Sequence, residues 1–128
     1  MRILIVDDDP KCMAAIKRIL RAKRDHDVVW EAKNGEEAVR LSRSLEPDLI
    51  LMDLAIPRIC GLEAVRLIKE KQPGIQIIMM SAFGGDVYRE AALSSGADGF
   101  IPKSQVSTVL PSLPSGTGPV TLPSVVQA

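Results

Sequence analysis

Residues 47–65 read PDLILMDLAIPRICGLEAV. Leu49–Met52 is a short apolar run without polar alternation, which suits a strand buried on both faces. The run ends on a carboxylate, Asp53. A proline-containing loop follows, and then Leu62, Val65 and Ile68 recur at helical spacing. Pro73–Gly74 is expected to close that helix. A buried strand with a helix returning from it is one unit of a parallel sheet.

The unit repeats on both sides. Apolar runs lie at Ile3–Val6, Val28–Trp30, Ile75–Met80 and Gly99–Ile101. Met13, Ile16 and Leu20 space like one helix face, and Ala38, Leu41 and Leu45 like another. Asn34 is placed to cap Gly35–Leu45, with Glu36 and Glu37 in the favourable first turn. The fourth helical stretch, about Asp86–Ser95, has the weakest pattern and sits between Gly84–Gly85 and Gly96. The alternation predicts an α/β fold: a doubly wound parallel sheet with helices on both faces and right-handed crossovers.

Composition narrows the function. The chain has 128 residues, with 16 basic and 16 acidic side chains that cancel. One domain is expected, and a dominant basic surface for direct nucleic-acid binding is excluded. No run of about 18 apolar residues suggests a membrane span. No charged segment precedes an apolar stretch at the start, so no secretory signal is expected. Cys12 and Cys60 then read as free thiols in a reducing cytoplasm. They have no metal-ligand spacing, and His26 is the only histidine.

All the Lys, Arg, Asp and Glu lie in residues 1–103. Residues 104–128 contain Pro111, Pro114, Pro119 and Pro123 among Ser, Thr and Gly. The division is therefore a body over 1–105 and an uncharged tail or linker over 106–128.

In doubly wound sheets a ligand sits beyond the carboxyl ends of the strands. The first strand ends in Asp7-Asp8-Asp9, the third in Asp53, the fourth in Ser81-Ala82 and the fifth in Pro102-Lys103. Each residue has an ordinary explanation. Asp9 before Pro10 is a good helix cap, Asp53 a common turn residue, and Lys103 an ordinary surface cation. Their meeting at one edge favours chemistry. Crowded carboxylates repel, and a hard divalent cation such as Mg²⁺ relieves that repulsion. A lysine and a hydroxyl nearby suit phosphoryl oxygens. Asp53 is placed to act as a carboxylate nucleophile.

These segments resemble the receiver domain of two-component response regulators. The resemblance is carried by ILIVDDDP at 3–10, PDLILMDLAIPRICGLEAV at 47–65, IIMMSA at 77–82 and ADGFIPKS at 97–104. It implies a flavodoxin-like five-stranded sheet of order 2-1-3-4-5. It implies that Asp53 accepts a phosphoryl group from a sensor histidine kinase. Asp8, Asp53 and the Ala55 carbonyl would hold Mg²⁺, with Asp7 acting largely through water. Lys103 and Ser81 would bind phosphoryl oxygens. Ser81 and Phe100 would form the switch that alters the face of the fourth helix and fifth strand. Ala55, Ala82 and Phe83 would flank the site. The chain would be no enzyme beyond its own phosphotransfer and dephosphorylation.

Four departures stand out. Cys60 replaces a polar residue before Gly61 and weakens the cap on the third helix. Ser104 follows Lys103, so the cis-proline of many receivers is absent there. Apolar Ala55 and bulky Phe83 predict slow water access and slow self-dephosphorylation. The fifth helix is expected to be short or disrupted, because Pro111 and Pro114 block it after about two turns.

Residues 118–126, GPVTLPSVV, faintly resemble the linker that follows LuxR-type receivers. Expected partners are a downstream effector protein or a DNA-binding domain outside this chain. A homodimer through the tail is a further arrangement. Two other functions compete: a receiver-like binding module that no longer switches, and a haloacid-dehalogenase-type phosphatase. The second needs Asp-x-Asp at the nucleophile, where this chain has Ala55. A flavodoxin-type cofactor site lacks its phosphate loop after the first strand.

Overall fold

The computed structural model describes residues 1–23, 28–83 and 86–112. The expectations for His26, Gly84–Gly85 and residues 113–128 lie outside these.

The elements alternate as the hydrophobic pattern requires: β1 Arg2–Val6, α1 Pro10–Lys23, β2 Val28–Ala32, α2 Gly35–Leu45, β3 Leu49–Asp53, α3 Gly61–Lys71, β4 Gln76–Ser81, α4 Asp86–Ser94 and β5 Gly99–Pro102. A 3₁₀ turn Lys103–Gln105, a short α5 Val106–Val109 and a second 3₁₀ turn Leu110–Ser112 complete them. The strands form one parallel sheet in the order β2-β1-β3-β4-β5. This is the expected doubly wound architecture. Among the described residues no helix is long and apolar enough to cross a membrane.

Residue alternation divides the core between two faces. Ile3, Ile5, Leu51, Ile78 and Ile101 pack with Met13, Ile16 and Leu20 of α1 and with Val106, Val109 and Leu110. Leu4, Ile50, Met52, Met79 and Phe100 pack with Ala38 of α2, Ala64 and Ile68 of α3, and Ala92 of α4. The segment after residue 105, grouped with the tail in the sequence, therefore closes one face of the body. Pro111 lies inside the last 3₁₀ turn, where its missing N–H ends the α-helical ladder. Ser112 Oγ donates to the Val109 carbonyl at 2.7 Å.

Local chemistry sets the helix ends. The Glu37 N–H donates to Asn34 Oδ1 at 2.8 Å, the expected cap. The Lys11 N–H donates to Asp9 Oδ1 at 3.0 Å, so Asp9 caps α1. Cys60 occupies the cap position of α3 without a side-chain hydrogen bond, as its thiol foretold. α3 stops at Lys71, ahead of Pro73–Gly74, with Gln72 as its cap. A Cβ on Gly61 would lie 2.7 Å from the Asp53 carbonyl oxygen and 2.8 Å from that of Leu54. Only glycine lets α3 begin this close to the end of β3.

Candidate functional site

β1, β3 and β4 deliver Asp7, Asp53 and Ser81 to the carboxyl edge of the sheet. All three are polar yet buried, at 1%, 5% and 3% exposure. Asp8, one residue further along, is exposed. Strand alternation turns Asp7 inward and leaves its neighbour facing water. One carboxylate oxygen from each of Asp7, Asp8 and Asp53 lies within 4.8 Å of the others.

Lys103 enters from the turn after β5. Its ammonium donates to Asp53 Oδ2 at 2.8 Å and to Asp7 Oδ2 at 2.9 Å. The remaining oxygens are held by backbone. The Ala55 N–H donates to Asp53 Oδ1 at 3.1 Å, and the Asp9 N–H to Asp7 Oδ1 at 2.9 Å. The Leu54 N–H donates to the Met80 carbonyl at 2.8 Å, which extends the β3–β4 pairing past Asp53. These bonds fix the orientation of both buried carboxylates.

Burial raises the Asp53 carboxyl above its ordinary range, and the Lys103 and Ala55 bonds offset part of that. Burial would lower the Lys103 ammonium, but bonds to Asp53 and then Asp7 outweigh it and hold the group above its usual value. Burial and the nearby Asp7 carboxylate push the Cys12 thiol up to about 11. Cys12 is thus an inert neighbour of the site.

The three carboxylates offer hard oxygen donors on one side, and Lys103 neutralises only part of their charge. That donor set fits Mg²⁺, which binds through one or two carboxylates and keeps waters and phosphate oxygens as its other ligands.

The other predicted residues lie nearby in the chain. Ala55 and Ala82 are exposed. The Phe83 N–H donates to Ser81 Oγ at 3.0 Å. The Phe83 ring is 62% exposed and stacks on Tyr88 with centroids 5.7 Å apart. The ring thus has one partner in Tyr88 and an open side toward solvent. Phe100 is 1% exposed, inside the core.

Three features had no sequence signal. A pocket of about 220 Å³ beside Asp7 and Asp8 is walled by Met13, Lys17, Glu31 and Lys33. Arg89 lies across the Phe100 ring. A groove of about 510 Å³ opens at the opposite, amino-terminal edge of the sheet. There Asp98 pairs with Lys69 and accepts from the Ile77 N–H, and Asp48 accepts from the Arg2 N–H. Those carboxylates serve the strand starts.

Comparisons with known proteins agree with this geometry. A family model described as the response regulator receiver domain matches residues 3–112. The chain is similar to the nitrate/nitrite response regulator protein NarL of Escherichia coli K12, 39% identical over 101 residues, which cover 79% of this chain and 47% of NarL. It is similar in structure to a LuxR-family two-component response regulator from Aurantimonas, with a TM-score of 0.79, 33% identity, and coverage of 85% of this chain and 78% of that one. The response regulator domain of Thermotoga maritima CheB matches with a TM-score of 0.77 and 36% identity, over 86% of this chain and 90% of that one. The chain spans about half the length of the first curated relatives it matches.

Proposed function

Because this chain belongs to the response regulator receiver domain family of two-component systems, we propose that Asp53 is its phosphoacceptor and that the donor is the phosphohistidine of a sensor histidine kinase. The observation that carries this is the Lys103 ammonium bridging the buried Asp53 and Asp7 at a three-carboxylate edge whose third member, Asp8, is exposed.

An oxygen of Asp53 attacks phosphorus. The O–P bond forms as the N–P bond of the phosphohistidine breaks, and the imidazole leaves with the electron pair. Phosphoryl transfer needs positioning and charge neutralisation more than covalent help. The Ala55 N–H and Lys103 orient Asp53 for that attack. Lys103 then has a new partner in the phosphoryl oxygens. Mg²⁺ held by Asp8, Asp53 and the Ala55 carbonyl, with Asp7 through water, would neutralise the remaining negative charge. The Ser81 hydroxyl accepts from Phe83 and keeps its own hydrogen free to donate. It therefore follows a phosphoryl oxygen without losing its backbone bond. Its shift reaches Phe100 through the β4–β5 pairing, where Met79 faces Phe100 and Ser81 faces Pro102. The result is a population shift between two packings.

The non-switching alternative rested on a broken fifth helix. Val106, Val109 and Leu110 instead close the core there, which favours an intact switch. We place the end of the receiver at about Ser112 and treat the rest as linker toward an effector, a LuxR-type DNA-binding domain being the choice that the Aurantimonas relative supports. A cytoplasmic location and no activity beyond self-phosphotransfer and dephosphorylation belong to the same proposal. The test is intact mass after incubation with acetyl phosphate and Mg²⁺. One phosphate should add, and Asp53→Asn should abolish the addition. Retained labelling in that variant moves the acceptor elsewhere.

A further inference from the structure

Phe100 lies on β5, the edge strand of the sheet, and among the described residues no further strand packs beyond it. Its ring belongs to the core shared with α2, α3 and α4. Across it lies Arg89 of α4, with the guanidinium carbon 5.2 Å from the ring centroid. A cation over an aromatic face is attracted by the ring's quadrupole, and more strongly as water is excluded. Here the ring is buried and Arg89 is itself only partly exposed. The arrangement is therefore on the desolvated side of that range. An edge-strand aromatic has one easy exit, outward past its own strand. Arg89 gives the inward position an attraction that the outward one lacks.

We propose that Arg89 is a positioning residue for Phe100: its guanidinium, stacked on the ring, holds the ring inside the core and sets how freely it exchanges with an outward position. This rests on Phe100 being the switch aromatic of the proposed receiver mechanism. The chemistry at Asp53 does not need Arg89. The consequence is a division of labour in which the phosphoryl site supplies the signal and Arg89 sets the threshold at which the ring responds.

The chain has two phenylalanines, so ring-¹³C labelling gives two sets of signals, and Phe83→Leu assigns them. In the protein without phosphodonor, Arg89→Gln should move the Phe100 ring signals toward solvent-exposed values. The outward-to-inward ratio should rise roughly two- to thirtyfold, the range that a lost cation–ring contact allows. Arg89→Lys, which keeps a cation, should stay near the parent protein. Beryllofluoride with Mg²⁺ should then move the ring signals further in Arg89→Gln than in the parent. Unmoved Phe100 signals in Arg89→Gln overturn the proposal, and so do equal changes in the Gln and Lys variants. Should Arg89→Gln fail to melt cooperatively, Arg89→Met makes the same comparison with an uncharged, unbranched and apolar side chain. The ring signals are read without phosphoryl transfer. A chain that accepts no phosphate would sink the proposed function and leave this result standing.

Discussion

Lys103 Nζ sits 2.8 Å from Asp53 Oδ2, although the two residues are 50 positions apart and come from opposite sides of β4. The same ammonium holds Asp7, so one cation serves two buried carboxylates. Lys103→Met removes it and leaves both without their positive partner. Stability should fall by about 1–3 kcal/mol, below the full cost of an unpaired buried charge because Lys103 is partly exposed. Mg²⁺ should restore part of the loss by taking over the neutralisation. Urea melts with and without Mg²⁺ check this, and a variant equally stable in both conditions would refute the neutralising role.

The tight start of α3 predicts a contrast between two glycines. Gly61→Ala drives a methyl group into two backbone carbonyls at the Asp53 loop. It should cost about 1–3 kcal/mol through the shift it forces. It should also slow phosphate uptake from acetyl phosphate, since that loop carries Asp53 and Ala55. Gly74 has nothing within 4 Å of its would-be Cβ. Gly74→Ala should be neutral or gain up to about 1 kcal/mol from a stiffer unfolded chain.

Cys60 has the extended backbone of a cap residue, with φ −64° and ψ 161°, but contributes no side-chain bond to α3. Cys60→Ser supplies the missing oxygen acceptor. The expected gain is about 0.5–1 kcal/mol. Thermal melts read it, and an unchanged midpoint would mean that water already satisfies the first turn.

The two thiols should separate by alkylation rate. Cys60 is exposed, whereas Cys12 is partly buried beside Asp7. Only thiolate reacts, and a thiol pushed up to about 11 is almost wholly protonated at neutral pH. Iodoacetamide at neutral pH should label Cys60 first, by peptide mass. Labelling of Cys12 should rise as pH approaches the raised value. Equal rates at neutral pH would show that the Asp7 side of α1 opens readily.

The βα alternation was legible because each element writes its burial into a local period. Leu49–Met52 is apolar at every position since β3 is covered on both faces. Asn34 and Asp9 were legible as caps because a cap bonds within a few residues. Asp7, Asp53, Ser81 and Lys103 were found because a parallel sheet brings all its strand ends to one edge. Arg89 gave no such signal. It lies on the helix with the weakest pattern, and its partner Phe100 is on the following strand. The stacking of Phe83 on Tyr88 was not legible either, because residue size says nothing about which neighbour a loop side chain meets.

Val106, Val109 and Leu110 show the limit from the other side. An uncharged, proline-punctuated composition suggested a linker from residue 106, yet four helical residues and two 3₁₀ turns suffice to bury three apolar side chains against α1 and the sheet.

The sequence by itself determined the order of strands and helices, the edge at which the chemistry collects, and the residue types gathered there. Periodicity and capping are local, so they survive in a one-dimensional string. Only the tertiary structure decided which aspartate of the Asp7-Asp8-Asp9 run is buried. It also decided that one lysine bridges β1 and β3, and that an arginine covers the ring on β5. Those choices depend on how remote elements pack, and a distance across the sheet is a property of the assembled layers that no stretch of sequence contains.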